Sequence, residues 1–121
     1  MIKGIGIDII AIKRFNTVKN KERFLKQFLN DEEILEANKT DNKNRYWATL
    51  FTMKEAIFKA LETGLYFGFH WRDIRINKDL KVKLAGYLGK ISKNKTKVLV
   101  SKTCSKRYAL SLALAQNSEV L

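Results

Sequence analysis

The 121-residue chain has no proline, one cysteine (Cys104) and one histidine (His70). A single cysteine builds no intrachain disulfide framework, which fits a reducing cytoplasm. One cysteine and one histidine also exclude a Cys/His zinc site within one chain. Acidic residues are few: 12 Asp and Glu against 24 Lys and Arg give a formal charge of +12. Such an excess implies an anionic partner, be it nucleic acid, a membrane surface, an anionic ligand or an acidic protein, without choosing among them. No apolar run reaches the ~18 residues that a membrane span needs. The opening stretch MIKGIGIDIIAIKRF does not read as a signal peptide, because Asp8 breaks its apolar part and Lys13 and Arg14 follow. It reads as a buried strand.

Hydrophobic residues make up 45% and charged residues 30%, an ordinary globular balance. The length implies one domain over residues 1–121, with a core small enough that association with other copies would help. Strand alternation in the opening segment puts Ile2, Gly4, Gly6 and Asp8 on one face and Lys3, Ile5, Ile7 and Ile9 on the other. Arg14 to Leu29 reads as helix, broken near Asn20. Asn30 or Asp31 caps a short helix through Asn38, with Glu32 and Glu33 in its first turn. The longest helical pattern runs from Asp41 to Glu62, with Trp47, Leu50, Phe51, Ile57, Phe58 and Leu61 at three- and four-residue steps and Gly64 as its stop. Asp73–Asn77 and Lys81–Leu84 read as strands and Gly86–Lys93 as a short helix. Thr96–Thr103 and Arg107–Gln116 read as two final strands joined by a hairpin. Strands and helices segregate without strict alternation, so the fold class is α+β.

Four features bear on chemistry. Asp8 interrupts a run of isoleucines, and a buried carboxylate is costly unless paired, hydrogen-bonded or metal-bound. Gly4 and Gly6 on its face leave room for a close approach. The plainer reading is a strand-end aspartate that caps a turn or pairs with a lysine. Lys54, Glu55 and Lys59 lie on the long helix, with Glu55 and Lys59 four apart on one face. Alone they describe a solvated ion pair worth ~0.3–0.5 kcal/mol. Together, a strand carboxylate and a helix carboxylate can converge on Mg²⁺, which takes one or two carboxylates plus phosphate oxygens, while a lysine offsets phosphate charge. The third feature is Val100–Ser105, where three hydroxyls at a strand end suit a phosphate or simply make a polar turn. The fourth is the basic stretch Lys13, Arg14, Lys19, Lys21, Arg23 and Lys26, interleaved with Phe15, Val18, Phe24, Leu25 and Phe28. An amphipathic basic helix of this kind docks on acidic helices, membranes or nucleic acid. Cys104 has no histidine nearby in sequence, so it reads as packing rather than as a nucleophile.

In this order the pieces resemble the holo-acyl-carrier-protein synthase family of phosphopantetheinyl transferases, over nearly the whole chain. GIGIDI (Gly4–Ile9) and FTMKEAIFKALETG (Phe51–Gly64) look like the family's opening strand and its F-x-x-KEA-x-x-KA-x-x-TG helix. WRDIRI (Trp71–Ile76) is similar to the strand written F-x-DIEI, and VSKTCSKRYA (Val100–Ala109) to VS-x-(S/T)-H-(S/T)-x-x-YA. The resemblance implies a small antiparallel sheet packed with a long central helix. It implies metal ligands at Asp8 and Glu55, and a coenzyme A-contacting lysine at Lys59. Ser101, Thr103 and Ser105 match polar positions near the bound cofactor. Arg14, Lys21, Arg23 and Phe24 fall in the basic segment that meets acidic acyl carrier protein. A homotrimer with sites between subunits is also implied, with neither nucleic acid nor membrane as partner.

There are departures. Cys104 stands at the family's histidine, and a thiol cannot replace a protonated imidazole against phosphate. Leu50 stands where an arginine is common, Glu62 where glycine is usual, and the family's Gly-Lys-Pro turn is not evident around Lys78–Lys83. The function so implied is magnesium-dependent transfer of 4′-phosphopantetheine from coenzyme A to a carrier-protein serine, for fatty acid biosynthesis, with catalytic roles for Asp8, Glu55 and Lys59. The alternatives are a non-enzymatic basic binding module and a family member that binds coenzyme A without turnover.

Overall fold

One long helix lies across a small antiparallel sheet in the computed structural model, which describes residues 1–19, 21–61, 70–92 and 95–117. In chain order the elements are β1 (Ile2–Ala11), a 3-10 turn (Ile12–Asn16), α1 (Lys21–Phe28), α2 (Asp31–Asn38) and α3 (Lys43–Leu61). A second 3-10 turn (Trp71–Asp73) follows, then β2 (Ile74–Ile76), β3 (Val82–Leu84), α4 (Gly86–Ser92), β4 (Thr96–Cys104) and β5 (Tyr108–Asn117). This is the expected α+β architecture. The expected break at Asn20, Glu62, the Gly64 stop and the Lys93 helix end lie outside the described residues. No helix among the described residues is long and apolar enough to cross a membrane.

The main sheet has the order β1-β5-β4, antiparallel throughout, and β2 and β3 form a separate ribbon. Its register places Asp8 opposite Ser111, and Ser111 opposite Lys102. Because side chains alternate, that row faces α3 together with Gly4, Gly6, Ala109, Ala113 and Ala115. The row is built from small residues, so the helix can lie close. A Cβ on Gly6 would meet the Ala56 carbonyl oxygen at 1.9 Å, and one on Gly4 the Ala60 carbonyl oxygen at 2.0 Å. The two glycines admit the backbone of α3 itself.

Three sequence expectations need correction. The first strand is not buried on both faces: Ile5, Ile7 and Ile9 are 60%, 56% and 58% exposed, and Leu99 and Leu112 beside them are also open. Ile2 does not continue the Gly4 face, because the register shifts between Ile2 and Gly4. The first part of the Arg14–Leu29 stretch, before the expected break, is a 3-10 turn that ends at Asn16, and α-helix begins only at Lys21. The Ile12 amide is held by the Arg107 carbonyl at 2.8 Å, so the chain leaves the sheet as a tight 3-10 turn before α1 begins. Phe15, Phe24 and Phe28 from this region pack around Phe51, and Trp71 stacks on Phe51 with ring centroids 5.6 Å apart. α2 starts at a capping box in which Asn30 and Glu33 each satisfy the other's backbone amide.

Candidate active site

Asp8 leaves β1 on the face that meets α3, and its side chain is only 16% exposed. From the helix, Lys59 crosses to the strand. Its Nζ donates to the Ile7 carbonyl at 3.0 Å and to Asp8 Oδ1 at 3.2 Å. The solvated Glu55–Lys59 pair that helical spacing alone suggests gives way to a bridge between helix and strand. Glu55, one turn before Lys59, is half-buried. Burial pushes its carboxyl above the ordinary carboxylate range, the Asp8 charge pushes it further, and Lys59 acts in the opposite sense. Asp8, Glu55 and Lys59 therefore share one electrostatic site, with two carboxylates whose repulsion a single half-exposed ammonium only partly relieves.

That donor set suits a hard divalent cation. Mg²⁺ takes one or two carboxylates and completes its shell with water and phosphate oxygens. Among the described residues no cluster of three or more His, Cys, Asp and Glu side chains provides an all-protein cage. The residues present fit a metal that arrives with its ligand's phosphates.

The hydroxyls of β4 do not join this site within one chain. Ser101 pairs with Leu112 and Thr103 with Leu110, which puts both on the outer face with Ile7 and Ile9, opposite Asp8. Ser105 sits in the hairpin, where its Oγ accepts from the Arg107 and Tyr108 amides at 3.2 and 3.0 Å. Its local role is that of a polar turn. Cys104 is half-buried with its Sγ 3.1 Å from Thr49 Oγ1. Cys104 and Lys102 line a cavity of about 1030 Å³, together with Leu50 and Arg45. It opens along the N-terminal half of α3. Lys102, in the same cross-strand row as Asp8, puts it on the same face of the sheet.

The basic segment divides between surface and core. Arg14 and Arg23 are exposed. Lys21 lies over the Trp47 ring, 5.2 Å from its centroid. Phe24 is packed against Phe15, Phe28 and Phe51.

Sequence reasoning gave no separate role to Lys54, which is fully buried. Its Nζ donates to Glu33 Oε1 at 2.7 Å, to the Trp71 carbonyl at 3.3 Å and to the Phe28 carbonyl. Glu33 Oε2 accepts from the Ile76 amide at 3.3 Å. One ion pair thus ties the end of α1, the start of α2 and β2 to the residue beside Glu55. Burial pulls the Lys54 ammonium below the ordinary lysine range, Glu33 opposes this, and Arg72 and Arg75 add to the lowering. The available signal was a lysine within the apolar stretch Leu50–Ile57, flanked by buried Met53 and Ala56.

Comparison with known proteins identifies the family of the chain. The family model for the 4′-phosphopantetheinyl transferase superfamily matches residues 4–113. The chain is 38% identical over 126 residues to the holo-[acyl-carrier-protein] synthase of Caldicellulosiruptor saccharolyticus, covering 98% of this chain and 100% of that one. It is 36% identical to the synthase of Fusobacterium nucleatum, covering 94% and 98%. Among solved structures, the holo-[acyl-carrier-protein] synthase of Neisseria meningitidis superposes with a TM-score of 0.80 at 28% identity, covering 97% and 100%. That of Bacillus anthracis, in complex with coenzyme A (3′,5′-ADP), gives a TM-score of 0.76 at 29% identity, covering 98% and 99%. With its Gly-faced strand set against the helix that carries Glu55 and Lys59, the chain belongs to the 4′-phosphopantetheinyl transferase superfamily, in the holo-[acyl-carrier-protein] synthase group.

Proposed function

We propose that this chain transfers 4′-phosphopantetheine from coenzyme A to a serine of apo-acyl carrier protein, releasing 3′,5′-ADP. The observation that carries the reading is the bridge from Lys59 to Asp8 with Glu55 in the same field. Two oxygen donors and one cation gathered in this way suit a diphosphate and its metal. A purely basic binding module leaves that carboxylate pair without a role.

In the reaction the serine oxygen forms a bond to the β-phosphorus of coenzyme A. The bond from that phosphorus to the oxygen bridging it to the nucleotide breaks, and the serine gives up its proton. Asp8 and Glu55 would hold Mg²⁺, which when bound neutralises diphosphate charge. Lys59 counters the charge that builds on the leaving phosphate, and it is held in place by the Ile7 carbonyl before substrate arrives. Catalysis of this kind comes from positioning and preorganised charge. The cavity beside Cys104, lined by Lys39, Arg45, Lys78 and Lys102 and also by Glu32, Glu36 and Asp41, takes the nucleotide end, with Arg45 and Lys102 as cations in place of the histidine and arginine that Cys104 and Leu50 replace.

The active assembly is a homotrimer that covers the exposed Ile5, Ile7, Ile9, Leu99 and Leu112 face. A contiguous apolar patch of this kind marks an interface more often than free surface. Assembly would also bring Ser101 and Thr103, which share that outer face, to a neighbour's site. The chain works in the cytoplasm, where its lone cysteine stays reduced. The test is mass spectrometry of apo-acyl carrier protein after incubation with the chain, coenzyme A and Mg²⁺. Asp8→Ala and Glu55→Ala should each lower transfer by roughly 10²–10³-fold while remaining folded. Near-normal transfer by either variant at saturating Mg²⁺ would show that the pair does not hold the metal.

A further inference from the structure

A second cleft, of about 630 Å³, lies between the C-terminal end of α1 and the segment from His70 to Arg75. Lys26, His70, Arg72 and Arg75 line it, and Trp71 is among its walls. Asp73 also borders it, but its carboxylate is packed against Gly86, within 2.7 Å of where a Cβ on that glycine would lie. Asp31, which pairs with Arg72 at 3.1 Å, is 90% exposed, so the pair is weak and easily exchanged. Lys26 pairs with exposed Glu22, along α1. No carboxylate among the described residues lies within ion-pair distance of Arg75. The cleft is therefore cationic on balance.

The ribbon behind it sharpens the point. In β2, Ile74 and Ile76 turn inward, so Arg75 turns out. Its cross-strand partner in β3 is Lys83, also exposed. Like charges directly opposite each other on a ribbon are destabilising. The ribbon thus concentrates positive charge.

The cleft is also well placed relative to the reaction site. Its Trp71 packs on Phe51 and Phe58. Those residues lie four before and three after Glu55, on the same face of α3. Through Trp71 the cleft thus adjoins the stretch of α3 that carries Glu55.

We infer that the cleft bounded by Lys26, Arg72 and Arg75 is a docking site for an acidic segment of the carrier protein, extending the basic face of α1 onto the β2–β3 ribbon. The inference rests on the reading of the chain as a carrier-protein-modifying enzyme. The opposite charge of an acidic partner would offset the Arg75–Lys83 repulsion in the complex.

The experiment is calorimetric titration of apo-acyl carrier protein into the full-length chain at low salt, with phosphopantetheine transfer assayed in parallel. Arg75→Glu should weaken carrier binding about tenfold and raise the KM for carrier in step, with coenzyme A binding unchanged. The deficit should shrink as salt rises. Lys43→Glu, at the exposed start of α3 and outside the cleft, controls for the change in net charge and should bind nearly as well as wild type. Equal carrier affinity for Arg75→Glu and Lys43→Glu overturns the docking site, even if transfer proceeds. A loss confined to coenzyme A binding also overturns it, by assigning the cleft to the cofactor. Carrier binding that depends on Arg75 without any transfer by the wild-type chain supports the docking site and overturns the enzymatic reading.

Discussion

Replacing Gly6 with alanine tests the physical link between the opening sequence and the site. The added Cβ would lie 1.9 Å from the Ala56 carbonyl oxygen and 2.8 Å from the Ala60 amide nitrogen. Both are helix backbone, which has no rotamer by which to yield. Ordinary Cβ contacts begin at 3.4 Å, so β1 and α3 must separate locally by about 1.5 Å (3.4 less 1.9). Two effects on stability compete. Removing a glycine restricts the unfolded chain, a gain of about 0.4–1 kcal/mol. Overpacking costs typically ~1–3 kcal/mol. The second wins, but against a total of ~5–15 kcal/mol the domain stays folded. The larger effect is on catalysis. Asp8 is two residues along the same strand face, and its contact with Lys59 is 3.2 Å long. A misplacement of ~1 Å at reacting groups costs about 10²-fold. Urea denaturation should show a modest loss of stability, and the transfer assay a fall in kcat of about a hundredfold. A folded Gly6→Ala chain that transfers within threefold of wild type would refute the claim that close strand–helix contact sets the position of Asp8.

Three further outcomes follow from the same geometry. Lys54→Met strands the Glu33 carboxylate in the core and should cost about 3–5 kcal/mol in denaturant unfolding; adding Glu33→Gln should recover much of that, and a single-variant loss below about 1 kcal/mol would contradict the buried pair. Glu55 binds its proton more tightly folded than unfolded, so its ionisation opposes folding. That cost is absent below the unfolded value of 4.5 and grows as pH rises through the raised folded one. In metal-free buffer, Glu55→Gln should therefore raise Tm at pH 7 and leave it unchanged near pH 3, whereas a lower Tm at pH 7 would show that ionisation of Glu55 does not oppose folding. Ile7→Glu puts a charge at the centre of the exposed sheet face and should leave monomers by sedimentation velocity, while an unchanged assembly would mean that this face is not the interface.

Local pattern alone determined most of the elements, since strand and helix periodicities are properties of short segments. The strands ended within a residue or two of their expected limits, the Asn30 cap formed, and the alternation that set Asp8 with Gly4 and Gly6 held. Where the chain meets other parts of itself, periodicity had less to say. The Arg14–Leu29 stretch has helical composition throughout, yet a hydrogen bond from Ile12 to the distant hairpin makes its start a 3-10 turn. Pairing is a matter of tertiary geometry. Glu55 and Lys59 are spaced to bridge one another, but a strand that approaches through two glycines offers Lys59 a carbonyl and a carboxylate instead. The same packing buries Lys54 against Glu33, twenty-one residues away, and puts Ser101 and Thr103 behind the sheet from Asp8. Charge and composition announced an anionic partner. Only the folded chain shows which cationic groups, Arg75 and Lys83 among them, are gathered side by side.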